Sequence, residues 1–301
     1  MRFNIKLLGF LKPYKMKGNF IMMNIKDEIV KSDTGERLLA RGLYIRTRMQ
    51  EQYDSKRLIA KHVTQEYIKD FDAVLLDAGS TAEMIAEEMF AKRKFLSVLT
   101  NNMGAYAAYT RATRQIDTGE SNLIEAPSNR GNELLVTGGR YVEIYESLLG
   151  EGASTSIKSF TPNVIIIGTS GLRCEEGIFC HGSEESAVKK LLWEKPADIR
   201  LVATDWTKIG KRDAHTFAPI EQLGVNAKKA VVVTSEPPRS EYKNDTDRVK
   251  EFENQIRKMK KYNIFVVKVP LQKIEEKEQD ETSNTTKVDK NKSNHAKRKK
   301  A

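Results

Sequence analysis

The chain has 301 residues, of which 39% are hydrophobic and 31% are charged. This composition can fill an apolar core, and it excludes a chain that is disordered throughout. No apolar run is long enough to span a bilayer, so we expect no membrane partner and a cytoplasmic protein. The formal net charge of +10 favours anionic partners such as nucleic acid or phosphorylated metabolites.

The two cysteines, Cys174 and Cys180, are too few for a disulfide scaffold. They also lack the paired spacing of a zinc site. Both observations fit a reducing compartment. We therefore predict neither a metal nor another cofactor.

The two ends of the chain differ in character from the middle. Residues 1–35 show no firm periodicity and are predicted to form a basic N-terminal extension. From residue 36 to 68, apolar residues recur at helical spacing among charges, which predicts one or two amphipathic helices. Residues 271–301 are rich in Lys, Glu, Asn and Ser with almost no large apolar residue. We predict that they form a disordered charged tail.

Short apolar runs alternate with helical patterns along the rest of the chain. The predicted strands are 73–76, 95–99, 134–136, 164–167, 200–203, 230–233 and 264–267. The predicted helices are 82–90, 104–110, 147–159, 183–193 and 248–260. Continuous apolar strands that alternate with helices are typical of a parallel sheet covered on both faces. We predict an α/β fold in three layers, a mainly parallel sheet flanked by helices, in one domain over 36–270.

Ligands of such sheets bind beyond the carboxyl ends of the strands. The first predicted strand is followed by Asp77, Gly79, Ser80 and Thr81. Glycine permits a tight turn, the two hydroxyls can cap the next helix, and the free N–H groups at a helix start suit a phosphate. An ordinary capped turn explains the same residues. The motif alone therefore leaves both interpretations open.

Later strand ends and one helix repeat this small, polar character. The further candidate residues are Thr100, Asn101, Gly138, Gly139, Arg140, Ser170, Glu185, Lys189, Asp205 and Lys208. Lys189 and Lys208 could each direct a charge at a phosphate, although each taken alone is more often a surface lysine. Five successive polar strand ends together favour a binding site.

The order of these motifs resembles the sensor domain of DeoR-type bacterial transcription regulators. The likeness also includes the segment from Lys56 to Ala60, ahead of the first strand. The resemblance implies a fold similar to ribose-5-phosphate isomerase and the CoA transferases. It further implies self-association and control of transcription in carbohydrate metabolism by a phosphorylated sugar or similar anion, without enzymatic activity. Ser80 and Thr81 would anchor the phosphate, while Glu185, Lys189, Asp205 and Lys208 would contact phosphate and sugar hydroxyls.

The chain departs from the family pattern in three places. The 35 residues ahead of Glu36 do not resemble a winged helix-turn-helix, so we expect that module to be missing. Ser170 stands where the family commonly has Asp. A longer charged insertion, 111–132, separates the second and third strands.

Two other functions stay open on the sequence. One is a sugar-phosphate isomerase in which Glu185 acts as the general base, although the loop from Gly168 to Gly171 carries no carboxylate. The other is DNA or RNA binding through the basic termini, which would depend weakly on sequence and steeply on salt.

Overall fold

The computed structural model describes residues 47–114, 131–262 and 264–271. These residues belong to a single unit of the chain that starts at residue 43. Three predicted segments lie outside the described residues: the basic extension, the tail beyond 271 and residues 115–130 of the insertion. The expectation that a winged helix-turn-helix is missing concerns the same undescribed N-terminal residues. The domain limits at 36 and 270 stay predictions.

Strands and helices alternate through most of the described chain. The strands are β1 (Ala73–Leu76), β2 (Ser97–Thr100), β3 (Glu133–Val136), β4 (Arg140–Val142), β5 (Ser147–Leu149), β6 (Val164–Ile167), β7 (Gly171–Arg173), β8 (Gly177–Cys180), β9 (Ala197–Ala203), β10 (His215–Ala218), β11 (Ala227–Ser235) and β12 (Phe265–Val269). The α-helices are α1 (Tyr53–Tyr67), α2 (Ser80–Lys92), α3 (Met103–Arg114), α4 (Glu151–Ser159), α5 (Ser183–Glu194), α6 (Glu241–Asn244) and α7 (Thr246–Lys261).

Seven strands form a central parallel sheet in the order β12-β11-β9-β6-β1-β2-β3. From β1 the chain proceeds to β2 and β3 on one side, and from β6 it proceeds to β9, β11 and β12 on the other. The order therefore reverses between β1 and β6. A crevice opens beyond the carboxyl ends of the strands at such a reversal, and ligands of parallel sheets bind there.

Helices cover both faces of the sheet, so the fold is a three-layer α/β sandwich as predicted. α1, α2 and α3 pack on one apolar layer, and α4, α5 and α7 pack on the other. Val164 to Ile167 of β6 are all buried, as expected for a strand with helices on both faces. On α7 the buried Val249, Phe252, Ile256 and Met259 recur at intervals of three and four residues and form one apolar stripe.

The predicted helix over 147–159 is wrong in its first part. Residues Ser147–Leu149 form β5, which pairs antiparallel with β4 in a hairpin. Gly150 then adopts a φ of 94°, in the left-handed region, and α4 begins only at Glu151. The sequence also did not predict the second antiparallel sheet, which has the order β10-β8-β7. Its strands have three or four residues each, too few to show a period.

Candidate functional site

The turn after β1 leaves open space beside Gly79. Gly79 has a φ of 130°, and a Cβ added there would meet no atom within 4 Å. Ser80 and Thr81 are 4% and 9% exposed, and within the described residues neither hydroxyl makes a hydrogen bond. The Asn102 amide holds this turn from outside, because its Nδ2 donates to the Gly79 carbonyl at 3.2 Å. Two hydroxyls at the start of α2 are therefore available to a ligand.

Thr100 and Asn101 tie neighbouring strand ends together. The Thr100 hydroxyl donates to the Leu76 carbonyl at 2.7 Å and accepts from the Asn102 N–H at 3.0 Å. The Asn101 amide donates to the Leu148 carbonyl at 3.3 Å. The structure thus gives both side chains internal partners. Their role as ligand contacts stays a prediction.

The two glycines after β3 lie in tight packing. Gly139 has a φ of 118°, and a Cβ there would approach the Leu149 carbonyl oxygen to 2.5 Å. A Cβ added at Gly138 would lie 3.5 Å from the backbone of Gly152 on α4. Small residues therefore let the β4–β5 hairpin approach this helix closely. Arg140 is exposed on the hairpin and forms an ion pair with Glu184.

Asp77, Lys189 and Glu185 form a buried ion-pair cluster at the reversal point of the sheet. The Lys189 ammonium pairs with the Asp77 carboxylate, donates to the Gly168 carbonyl at 3.0 Å and lies 3.4 Å from Glu185 Oε1. The side chains of Lys189 and Asp77 are 2% and 1% exposed. Glu185 also accepts from the His181 N–H at 3.1 Å at the start of α5.

The charge of Lys189 is compensated within this cluster. Burial alone would lower the pKa of its ammonium, but the carboxylates of Asp77 and Glu185 outweigh burial and raise the pKa. The ammonium donates to Asp77 and to the Gly168 carbonyl, and the Glu185 carboxylate lies next to it as a second counter-charge. The cluster therefore connects β1, β6 and α5, and its two carboxylates compensate the charge that Lys189 would otherwise offer a phosphate.

A second group of cations lines a cavity of about 260 Å³ beyond the ends of β6 and β9. We call it the basic cavity. Its lining residues are Arg48, Glu51, Ser170, His181, Lys208, Lys211 and Asp213. Glu51 Oε2 lies 3.9 Å from Lys208 Nζ, and the Glu51 side chain is 54% exposed. Glu51 thus compensates Lys208 only weakly, which suits this cation-lined cavity to an anion.

The electrostatics of the basic cavity support this conclusion. Burial and the charges of Arg48 and Lys211 lower the pKa of Lys208, although Asp205 acts in the opposite direction. Lys56 lies behind the cavity, where burial, Arg48 and Lys208 lower its pKa to about 8. Positive charges that repel one another in this way are stabilised when an anion binds among them.

Asp205 positions Lys208 rather than facing solvent. It is 1% exposed and caps the short 3₁₀ turn Trp206–Lys208, accepting from the Thr207 N–H at 3.0 Å. Ser170 lies on the wall of the basic cavity next to Asp213, whose carboxylate contacts His181. The loop from Gly168 to Gly171 has no carboxylate of its own. Asp213, which is distant in the sequence, places one beside it.

Five lining residues were not predicted: Arg48, Glu51, His181, Lys211 and Asp213. His181 and Asp213 are 32 positions apart and belong to no periodic pattern or motif. Arg48 lies just before α1, in a stretch interpreted only as amphipathic helix. A weak signal existed for Lys211, which follows Lys208 across a glycine in the strand end after β9.

The described residues offer no site for a metal ion, since no three His, Cys, Asp or Glu side chains among them come together suitably. Cys174 and Cys180 are both free and buried. Burial raises their pKa values to about 11 and about 12, so neither is a reactive thiolate near neutral pH. Among the helices of the described ranges, none has both the length and the apolar character to cross a bilayer.

The comparisons identify relatives among transcription regulators. Residues 51–226 match the family described as the DeoR C terminal sensor domain. The HTH-type transcriptional regulator IolR of Bacillus subtilis is 26% identical over 64% of this chain and 66% of its own length. The HTH-type transcriptional regulator GlpR of Haloferax volcanii is 25% identical over 58% of this chain and 60% of its own. The transcriptional repressor AccR of Agrobacterium fabrum is 29% identical over 52% of this chain and 54% of its own.

The chain thus spans roughly half to two thirds of the length of these relatives. They are named as regulators and not as enzymes, in agreement with the expectation that this chain is not an enzyme. Among solved structures, ribose 5-phosphate isomerase A from Methanocaldococcus jannaschii has 13% identity and a TM-score of 0.35, over 54% of this chain and 58% of its own. That likeness carries no argument about activity.

The family match covers more than half of the chain and includes β1, the Gly79 turn, the buried ion-pair cluster and Lys208. The sequence resemblance rests on the same segments. The chain therefore belongs to the family of DeoR C-terminal sensor domains.

Proposed function

We propose that this protein is a ligand-sensing regulator that binds a phosphorylated sugar or a related anionic metabolite in the basic cavity. The observation that carries the proposal is that three cations, Arg48, Lys208 and Lys211, line one cavity, with Lys208 only weakly paired with the half-exposed Glu51. A cavity of about 260 Å³ lies just below the range of about 300–1,000 Å³ typical of drug-sized ligands, and so suits a small metabolite.

The phosphate of this ligand would lie between Lys208 and the turn that begins α2. Ser80 and Thr81 do not themselves line the basic cavity, but the loop after β6 runs from one place to the other: a Cβ added at Gly168 would lie 3.4 Å from the Ala78 carbonyl oxygen, and Ser170 lines the cavity. Ser80 and Thr81 would donate their unused hydroxyls, and the start of α2 adds its N–H groups and its partial positive charge. Lys189 would act indirectly, by holding β1, β6 and α5 in place.

Output through transcription is also part of the proposal. The named relatives are transcription regulators, and the family match supports a similar role in carbohydrate metabolism for this chain. Ligand binding would change the association of the protein with DNA or with another partner.

Titration calorimetry tests the proposal with a panel of pentose and hexose phosphates, inorganic phosphate and the matching unphosphorylated sugars. We expect at least one sugar phosphate to bind and its unphosphorylated sugar not to bind. Lys208→Met should weaken binding at least tenfold, whereas the matched control Lys250→Met, at a side chain that is 72% exposed on α7, should not. Absence of binding by every sugar phosphate would remove the proposal.

A further inference from the structure

Asp213 and His181 form a polar pair on the wall of the basic cavity that phosphate binding does not require. His181 Nδ1 lies 3.0 Å from Asp213 Oδ1 and 3.3 Å from Oδ2, and the Ala214 N–H donates to Oδ1 at 2.7 Å. The Asp213 side chain is 16% exposed and that of His181 is 45% exposed. The pair is therefore held in place and still accessible from the cavity.

The charge of Asp213 is unfavourable for a simple anion. Burial raises the pKa of its carboxyl, but the neighbouring Ser170 hydroxyl, the Ala214 N–H and the His181 ring outweigh burial and lower the pKa. Asp213 is thus an ionised acceptor that repels a phosphate. Its position in the same cavity as Lys208 and Lys211 indicates a ligand with two chemically different ends.

We propose that Asp213, oriented by His181, accepts a hydrogen bond from a hydroxyl of the ligand and so selects phosphate esters of polyhydroxylated compounds over inorganic phosphate. This inference rests on the proposed function, since it assigns the end of the ligand that Lys208 does not hold. Asp213 Oδ2 makes the longer contact to His181, at 3.3 Å, and a carboxylate oxygen can accept more than one hydrogen bond. Ser170 lies beside it and can donate to or accept from a second hydroxyl.

The inference predicts a change in selectivity rather than a uniform change in affinity. A site built to bind a hydroxyl discriminates strongly against compounds that lack it, because its own polar group is then left unpaired. Hydrogen bonds to charged groups are the stronger ones, so loss of this bond should weaken sugar phosphate binding roughly 10- to 100-fold. Removal of the negative charge should leave the binding of inorganic phosphate unchanged or make it tighter.

The experiment measures the affinities of the full chain for inorganic phosphate and for the tightest sugar phosphate of the panel, by calorimetry. The variants are Asp213→Asn and His181→Asn, with Asp247→Asn as a control at a side chain that is 94% exposed on α7. We expect Asp213→Asn to weaken the sugar phosphate at least tenfold without weakening inorganic phosphate. His181→Asn should change the ratio in the same sense by a smaller factor, and the control should change neither affinity.

Two results would overturn the inference. Equal tightening of both ligands would show that Asp213 only repels anions, and equal weakening would show that it only supports the structure of the cavity. The proposed function would survive either result, provided that Lys208→Met still weakens both ligands. Failure of the wild-type protein to bind any sugar phosphate would remove both proposals.

Discussion

Lys189 and Lys208 both place an ammonium group at the carboxyl edge of the central sheet, but their surroundings differ. Lys189 is enclosed by Asp77, Glu185 and the Gly168 carbonyl, with its side chain 2% exposed. Lys208 lines the basic cavity, and its Nζ lies 3.9 Å from Glu51 Oε2. From the sequence alone, both lysines are candidate ligands for a phosphate. The difference in charge compensation supports a structural role for Lys189 and makes Lys208 the proposed ligand contact.

The largest predicted effect concerns the buried lysine. Lys189→Met leaves the Asp77 carboxylate buried without its cation and should lower the free energy of unfolding by about 3–5 kcal/mol. Urea denaturation measures the change. The neighbouring Lys190 is exposed on the same helix, and Lys190→Met should lower stability by less than about 0.5 kcal/mol. A loss below about 1 kcal/mol for Lys189→Met would contradict the assigned structural role.

The second prediction is that substitution of Lys208 weakens ligand binding but leaves stability nearly unchanged. Lys208→Met removes one of several mutually repelling cations, so the free energy of unfolding should change by less than about 1 kcal/mol. Its affinity for sugar phosphate should still fall at least tenfold. Parallel urea denaturation and calorimetry on the same preparations check both parts. If Lys208→Met destabilised the protein as strongly as Lys189→Met, the two lysines would not be distinct.

The third prediction is a pH dependence that arises from Lys56. Its pKa of about 8 in the folded protein lies below the ordinary lysine value of 10.5. Between these values the unfolded chain binds more protons than the folded one, so the contribution of Lys56 to stability increases with pH from about 8 to 10.5. Phosphate affinity should decrease severalfold over pH 7 to 9, because a positive charge behind the basic cavity is lost. Comparison of wild type with Lys56→Met isolates both trends, and equal slopes for the two proteins would contradict the assignment.

The smallest predicted effect concerns Glu51. Its carboxylate lies 3.9 Å from Lys208 Nζ and is more than half exposed, so it competes only weakly with a bound anion. Glu51→Gln should tighten sugar phosphate binding about two- to threefold, and more at low ionic strength. Glu66→Gln, at an exposed position on α1, is the control. Weaker binding by Glu51→Gln would indicate that Glu51 contacts the ligand favourably.

Much of the fold could be predicted from the sequence. Strands buried on both faces leave continuous apolar runs such as Val164 to Ile167, and helices such as α7 show their apolar stripe directly. The antiparallel strands could not be predicted in this way, since β4, β5 and β7 have three residues each. The sequence likewise does not indicate the left-handed conformation of Gly150, which separates β5 from α4.

The candidate site was predicted less completely. The strand ends identified Gly79, Ser80, Thr81 and Lys208, because parallel strands bring consecutive turns to one edge. Sequence order could not show that Lys189 meets Asp77 from 112 positions away, or that Asp213 reaches His181. Such pairs depend on the tertiary structure alone.

The most direct test of the account is a crystal structure of the protein with the tightest sugar phosphate of the panel. The account predicts the phosphate within hydrogen-bond distance of Lys208 Nζ and of the Ser80 or Thr81 hydroxyl, with the Asp77–Lys189 ion pair intact. A phosphate bound to Lys189 with that ion pair broken, or a ligand outside the basic cavity, would contradict it.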